Sequence, residues 1–87
     1  MHAVQISVTF NDLEAAKGEL PGLAAQVSGI PGSSAAHWVA FSGDRGTALV
    51  VFDSEEGART LEGIARGATT ESVTTQSIEV GEVLAQA

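Results

Sequence analysis

Residues 35–52 read AAHWVAF, SGDRG and TALVVF, and this stretch decides the fold that the sequence predicts. Two apolar runs, rich in aromatic and β-branched residues, flank a short segment typical of turns, which is the pattern of a β-hairpin. Either Gly43 or Gly46 can supply the positive φ that such a turn needs. The hairpin holds the only tryptophan, two of the three phenylalanines and one of the two histidines of the chain, so it concentrates the side chains from which a site could be built.

The register of the two runs assigns each side chain to one of two faces. A turn over residues 42–46 that pairs Phe41 with Thr47 places Trp38 opposite Val50, and successive side chains of a strand point to opposite faces. The first face then carries Trp38, Ala48, Val50 and Phe52. The second face carries His37, Val39, Phe41, Leu49 and Val51. Both faces are largely apolar, so both require cover.

The segment before the hairpin reads as a strand followed by a helix. Residues 4–10 alternate apolar and polar side chains, which indicates a half-buried strand. Apolar residues then recur at spacings of three and four from 13 to 30, which predicts a helix, and Asn11 with Glu14 matches a variant capping box. Pro21 lies inside this helix and predicts a kink, or a break that begins a second helical segment.

A second helix and a fourth strand follow the hairpin. Asp53 or Ser54 caps the helix, the two glutamates behind it suit the positive end of the helix dipole, and Gly67 is the residue expected just after the last turn. Residues 72–80, rich in threonine and valine, predict the fourth strand. Gly81 interrupts this strand, and the last residues form a tail that extends it or reaches a partner.

An internal repeat sets the order of these elements. Residues 8–16, VTFNDLEAA, match residues 50–58, VVFDSEEGA, in a strand end, a capping pair and the start of a helix, although any strand that leads into a capped helix has these features. The resulting order β-α-β-β-α-β is that of the ferredoxin-like fold of the α+β class. It predicts a four-stranded antiparallel sheet with the first and third strands in the centre and both helices on one face.

The repeat also predicts which face of the sheet the helices cover. If Phe10 corresponds to Phe52, the face that carries Trp38 lies under the helices, and the face that carries Leu49 does not. A contiguous apolar surface left in water is unusual for a monomer. A second copy of the sheet is the simplest cover, so the sequence predicts a two-fold homodimer whose two sheets pack face to face.

Composition narrows the class of protein further. The 87 residues predict a single domain, residues 1–87, with a net charge of −7 and only four scattered basic side chains. Nucleic acid and anionic membranes both need clustered positive charge, so neither is an expected partner. The chain has no cysteine, no metal-ligand motif and no apolar run of membrane-spanning length. Its first residues lack the features of a signal peptide, so a soluble cytoplasmic protein without a metal site is expected.

Several motifs along nearly the whole chain are those of one family. They are VTFN at 8–11, Pro31-Gly32, Trp38, VVFDSEE at 50–56 and SIEVGEVLAQ at 77–86. With these the chain resembles the dimeric α+β barrel superfamily, in particular its small monooxygenases of the antibiotic-biosynthesis type. The resemblance implies two sheets packed as a dimeric α+β barrel, with a pocket between sheet and helices. In that pocket the family oxidises an aromatic or polyketide-like substrate, or haem, with dioxygen and without a flavin or a dedicated metal site.

The chain departs from the catalytic pattern of this family. Phe52 stands where active members carry Trp, and Ala48 stands where they carry Asn. The haem-degrading branch uses a histidine on the second helix, but no histidine of this chain follows His37, and His2 lies in a segment expected to be mobile. The resemblance therefore disfavours haem oxidation, implies no cofactor, and leaves a monooxygenase without its expected polar anchor.

Two hypotheses about function follow from the candidate residues. In the first, a cofactor-independent monooxygenase-like protein binds a small aromatic or polyketide-like ligand in a hydrophobic pocket. That pocket is lined by Trp38, Ala48, Val50 and Phe52. In the second, a homodimer of the same fold binds a ligand without catalysis or has a structural role, and Trp38 and Phe52 are core side chains. In both, His37 is expected to be a hydrogen-bonded interface residue rather than a general base.

Overall fold

Six secondary-structure elements occur in the order that the sequence predicts. The structure, a computed structural model, describes residues 1–68 and 70–86. Within them lie β1 (His2–Phe10), α1 (Leu13–Ser28), β2 (Ser33–Ala40), β3 (Arg45–Phe52), α2 (Glu55–Gly67) and β4 (Val73–Glu82). Residue 69, in a segment predicted as a loop, and residue 87, in the predicted tail, lie outside the described residues.

The four strands form one antiparallel sheet in the order β2-β3-β1-β4. β3 and β1 are central, as the β-α-β-β-α-β order predicts. Leu61 of α2 belongs to a core cluster that contains Val4 and Val50, and Val27 of α1 packs against the same cluster. The two helices therefore lie on the same face of the sheet, and the predicted ferredoxin-like α+β fold is confirmed.

The hairpin of β2 and β3 has the predicted faces but not the predicted register. Trp38 pairs with Ala48 and not with Val50. The turn closes earlier than predicted, because Gly43 (φ 75°) and Asp44 (φ 60°) both adopt the left-handed conformation, and two consecutive residues of this kind give a tight turn. The shift of two residues leaves every side chain on its predicted face, since side chains alternate with a period of two.

A single residue caps the start of α1. The Asp12 side chain accepts a hydrogen bond from the N–H of Ala15 at 3.1 Å, which satisfies one of the free N–H groups of the first turn. The predicted capping box of Asn11 and Glu14 is wrong, because the Asn11 side chain donates instead to the carbonyl oxygen of Glu71 at 3.2 Å. Asn11 thus connects the start of α1 to the segment before β4.

α1 continues through Pro21 as one helix, so the predicted break is wrong. Proline has no N–H, and the helix therefore lacks one internal hydrogen bond at this point. The helix ends as predicted at Gly29, whose N–H donates to the carbonyl oxygens of Ala25 and Gln26, both at 3.2 Å.

The cap of α2 agrees with the prediction, whereas the end of α2 and the end of β4 differ from it. Ser54, one of the two predicted caps, accepts a hydrogen bond from the N–H of Gly57 at 3.3 Å. Gly67 is the last residue of α2, and the residue after it is extended and not left-handed, so no glycine is needed there. β4 continues through Gly81, because its pairing with β1 extends as far as His2.

The hydrophobic core lies toward the end of the sheet where β1 begins and β3 ends. Its buried members are Val4, Ile30, Val50, Phe52, Ala58 and Leu61. α1 contributes little to it, because Ala16 is the single buried residue of this helix, and α1 packs mainly against the edge strand β2. The rest of the helix-covered face is less completely covered. Within the described residues, no helix combines the length and the hydropathy needed to cross a membrane.

Candidate functional site

The residues predicted to line a pocket all lie on the helix-covered face, but they differ in burial. Phe52 and Val50 are fully buried in the core and Ala48 is nearly so, whereas Trp38 is half-buried. A ligand cannot touch Phe52 or Val50 without displacing core side chains. Trp38 and Ala48 are thus the two members of the predicted pocket that lie at the margin of the core.

Strand pairing brings small side chains together beside Trp38. Trp38 of β2 pairs with Ala48 of β3, and the next row of the same face pairs Ala40 with Gly46. Ile6 of β1 extends the first row. The four hairpin residues Trp38, Ala40, Gly46 and Ala48 are called the Trp38 surface below. One large aromatic side chain therefore lies beside two alanines and a glycine.

Phe10 closes one end of the Trp38 surface. Its ring lies directly against Gly46, where an added Cβ atom would overlap the ring. Of the two glycines predicted to supply the positive φ of the turn, Gly43 has it and Gly46 does not. Gly46 lies in β3, and it is glycine because the ring of Phe10 fills the place of a side chain. The sequence held no local signal for this contact.

The residues predicted to form a dimer interface lie on or next to the sheet face away from the helices. Leu49 pairs with His37 on this face. Four of the five are exposed, namely His37, Val39, Phe41 and Leu49, and Val51 is already buried within the protomer. The neighbouring half of the face, on β1 and β4, carries the polar residues Gln5, Ser7, Thr9, Ser77 and Glu79. The apolar part of the open face is therefore confined to β2 and β3.

The four basic side chains contact groups of their own helix or turn. Arg59 and Arg66 of α2 both contact Glu62 at 3.1 Å. Hydrogen bonds from Arg59 first and from Arg66 second hold the pKa of Glu62 below its ordinary value. Lys17 contacts a glutamate of its own helix, and Arg45 donates to a carbonyl oxygen of the hairpin turn. The basic side chains thus make local contacts and form no common patch.

Two depressions on the surface of the described residues lie away from the Trp38 surface, which lines neither of them. One of about 480 Å³ lies between α1 and the segment before β4. It is lined by Asp12, Ala15, Glu19, Thr70, Glu71 and Ser72. The other, of about 270 Å³, is lined by Ile30, Pro31, Gly32, Asp53, Ser54, Glu56, Gly57 and Thr60. Neither contains a basic or an aromatic side chain, so the chemistry of both differs from that of the predicted pocket.

Comparison with solved structures finds relatives by fold. No protein-family model and no curated protein sequence matches the chain. MupZ from Pseudomonas fluorescens matches with a TM-score of 0.67 and 18% identity, and the match covers 91% of this chain and 65% of MupZ. A protein of unknown function from Nitrosomonas europaea also gives 0.67 and 18%, with 99% and 91% covered. The heme-degrader MhuD from Mycobacterium tuberculosis, with two hemes bound in its active site, gives 0.57 and 21%, with 98% of each chain covered.

These matches extend over nearly the whole of β1 to β4 in the same order. The chain therefore shares the fold of these proteins. The resemblance seen in the sequence motifs is thereby confirmed at the level of fold. Sequence identities of 18–21% to these structures carry no conclusion about ligand or reaction.

Within this ferredoxin-like fold, the residues do not fit the haem ligation that the resemblance implies for the haem-degrading branch of the family. α2 contains no histidine, and His37 lies on the opposite face of the sheet from the helices. The described residues also hold no group of three or more histidine, aspartate or glutamate side chains placed to bind a metal ion. No step through haem iron is therefore derived for this chain.

His2 lies on the helix-covered face, and its position differs from the one that the sequence predicts. It lies in β1, paired with Phe52 and Glu82, and is not in a mobile segment. Its Nε2 atom is 3.7 Å from a carboxylate oxygen of Glu55, and its Nδ1 atom is buried without a hydrogen-bond partner. The signal was present in the sequence, because the alternation of β1 continues back from Val4 to His2.

Proposed function

We propose that this protein is a homodimer related to the cofactor-independent monooxygenases, and that it binds a flat, apolar molecule of the aromatic or polyketide-like class on the Trp38 surface beneath α1. One observation carries the proposal. Trp38 is half-buried on the helix-covered face, while Val50 and Phe52 on the same face are fully buried. An indole ring at the margin of a core, beside small residues, is a suitable contact surface for a ligand.

The chemistry of the Trp38 surface favours an uncharged aromatic ring. Ala40 and Ala48 project little beyond the backbone, so a planar molecule can approach the sheet. The face of the Trp38 indole can then stack on the ligand, which contributes about 0.5–1.5 kcal/mol beyond the buried area. A carboxylate or a phosphate would lose its hydration without compensation, because no charged side chain belongs to the surface.

Dioxygen is the co-substrate that the resemblance implies for a reaction at this surface. In the oxidation of an anthrone, the methylene carbon loses two hydrogen atoms and gains one oxygen atom as a carbonyl, and the second oxygen atom leaves as water. The protein would bind and orient the substrate and exclude water. Phe52 and Ala48 occupy the positions of the catalytic Trp and Asn of the family, so binding without catalysis is the second candidate function.

The proposed second copy covers the open face of the sheet. Leu49, Val39 and Phe41 are exposed together on or next to β2 and β3, and a two-fold axis between two such faces would bury each set against the other. His37, in the same row as Leu49, would lie within this interface. The arrangement is the face-to-face packing that the sequence predicts.

Fluorescence of Trp38 tests the binding proposal directly. Trp38 is the only tryptophan and the chain contains no tyrosine, so the emission reports this one side chain. Titration with anthrones and dihydroxyaromatic compounds is expected to quench or shift the emission in a saturable manner. Ala48→Leu adds three carbon atoms at the residue paired with Trp38 and is expected to weaken binding by about tenfold or more, or about 1.4 kcal/mol. Ala24→Leu makes the same change at an exposed position of α1 and is expected to bind like the wild type.

Oxygen uptake separates the two candidate functions. Uptake faster than the buffer control, and lost in Ala48→Leu, supports the monooxygenase reaction. Saturable binding without uptake supports the non-catalytic function. If no compound of the panel changes the emission of Trp38 in a saturable way, the binding proposal is refuted.

A further inference from the structure

α1 contains weak helix formers at its centre. Residues 18–22 read GELPG, and Gly18, Pro21 and Gly22 all lie inside the 16-residue helix. Glycine has more conformational freedom than any other residue. Proline has no N–H, so the carbonyl oxygen of Lys17 lacks its usual partner within the helix. The backbone of α1 is therefore least restrained at this centre.

Close packing does not explain the two glycines. A Cβ atom placed at Gly18 or at Gly22 meets no atom within 4 Å. Gly46 and Gly57, by contrast, lie so close to phenylalanine rings that a Cβ atom would clash. Gly18 and Gly22 thus contribute backbone freedom and not a close approach of two elements.

α1 runs along the strand that carries Trp38. The helix runs back along the length of the sheet, from the end of β1 at Phe10 toward the end at His2. Trp38 lies in the row of Ile6, halfway along β1. α1 packs mainly against β2, the strand that carries Trp38.

One side chain of this centre is bonded to the rest of the protein. The hydroxyl of Ser72 lies 3.0 Å from both carboxylate oxygens of Glu19 and donates to them. The hydroxyl of Thr70 lies 3.3 Å from one of these oxygens. Ser72 is the one buried polar residue of the described chain, whereas Glu19 is exposed. The carbonyl oxygen of Ser72 also accepts the N–H groups of Asn11 and Asp12, which anchors the start of α1.

We propose that residues 18–22 are a hinge at which α1 bends to open and close access to the Trp38 surface, and that the hydrogen bond from Ser72 to Glu19 holds the closed form. The purpose of this motion rests on the proposed function, since a ligand must pass α1 to reach Trp38. The motion itself belongs to the free protein. It separates few packed groups, because Ala16 is the single buried residue of α1.

Stiffening the hinge is the first test. Gly18→Ala combined with Gly22→Ala removes two flexible positions, and each change is expected to shift the local helix–coil equilibrium about fivefold toward helix. Amide hydrogen exchange of residues 22–28 should slow by at least that factor, and quenching of Trp38 by acrylamide should fall. Gly63→Ala is the matched control, because Gly63 lies in α2 and a Cβ atom there also meets no atom within 4 Å. It should change neither measurement at α1.

Releasing the closed form is the second test. Ser72→Ala should accelerate exchange of residues 22–28 by about fivefold, the factor of a typical hydrogen bond, and should raise quenching of Trp38 by acrylamide. Glu19→Gln leaves a weaker, uncharged acceptor and should give a smaller change in the same direction. Glu14→Gln is the control, because Glu14 is an exposed glutamate of α1 whose side chain bonds to Lys17 of the same helix. It should leave both measurements unchanged.

The two tests distinguish the hinge from the proposed function, because both use the free protein. Wild-type exchange and quenching in Ser72→Ala, Glu19→Gln and the double glycine variant overturn the hinge, whatever ligand binds. If the variants behave as expected while no compound binds, the proposed function is refuted and the hinge stands.

Discussion

Leu49→Asp is the change that tests the proposed dimer most directly. Leu49 lies on the central strand β3, on the face away from the helices, in the middle of the exposed apolar residues. The side chains of Leu49, Val39 and Phe41 are 40%, 41% and 50% exposed in the protomer. These exposed fractions set how much apolar surface a second copy can still remove from water.

The expected magnitude follows from those fractions. Complete burial of a side chain of this size contributes about 1.5–3 kcal/mol, so the exposed part of each contributes roughly 0.6–1.5 kcal/mol, and the six side chains in a dimer together contribute roughly 4–8 kcal/mol before the costs of association. Leu49→Asp removes two of the six and places two carboxylates in the interface, each at a cost of several kcal/mol, or about 5 kcal/mol or more in total. The dissociation constant should therefore rise by about 1,000-fold or more.

Sedimentation or light scattering measures this effect. The wild type is expected at twice the chain mass at micromolar concentration, and Leu49→Asp at the chain mass with an unchanged circular dichroism spectrum. Asp within a strand costs the protomer up to about 1 kcal/mol, which leaves it folded. Leu23→Asp is the matched control, because Leu23 of α1 is 41% exposed and lies outside the proposed interface. A wild-type monomer, or a Leu49→Asp dimer of unchanged affinity, refutes the reasoning.

Two further predictions concern stability. Gly46→Ala places a methyl group against the ring of Phe10 and should lower the free energy of unfolding by about 1–3 kcal/mol. Urea denaturation measures this free energy, and a value equal to that of the wild type would contradict the assigned contact. Arg59 and Arg66 lower the pKa of Glu62, so the stability that this interaction contributes should be fully present above the ordinary pKa of glutamate and lost as the pH falls through the lowered folded-state value. Glu62→Gln should flatten that part of the stability–pH profile, and an identical acid limb in both proteins would show that the ion pairs do not affect stability.

Much of the fold could be predicted because the sequence carries regular periodicity. The alternation of β1 and the spacing of apolar residues in the helices determine which side chains face the core, and these patterns are local. The hairpin faces survived an error in register, since Trp38 moved by two residues along β3 and stayed on its side of the sheet. The topology followed from the order of the elements, because few arrangements satisfy short connections and right-handed crossovers.

The errors arose where a boundary depended on a partner distant in the chain. The capping box at Asn11 failed because Asn11 bonds to Glu71, which lies 60 residues away. The break at Pro21 did not occur, and α1 is held on both sides of the proline, by the bonds of Asn11 and Asp12 to Ser72 before it and by the packing of Val27 on the core after it. Propensity describes what a segment favours alone, and tertiary contacts can outweigh it by more than the roughly 3 kcal/mol that a proline costs inside a helix.

The sequence by itself determined the element order, the two faces of the hairpin and the position of Trp38 on the helix-covered one, because side-chain alternation and helical spacing are properties of neighbouring residues. Only the tertiary structure decided that Val50 and Phe52 are buried in the core while Trp38 lies at its margin. It also brought Phe10 against Gly46, and Ser72 to Glu19 across 53 positions of the chain. Burial and hydrogen bonding of this kind depend on which elements meet in space, and no local pattern of residues encodes that meeting.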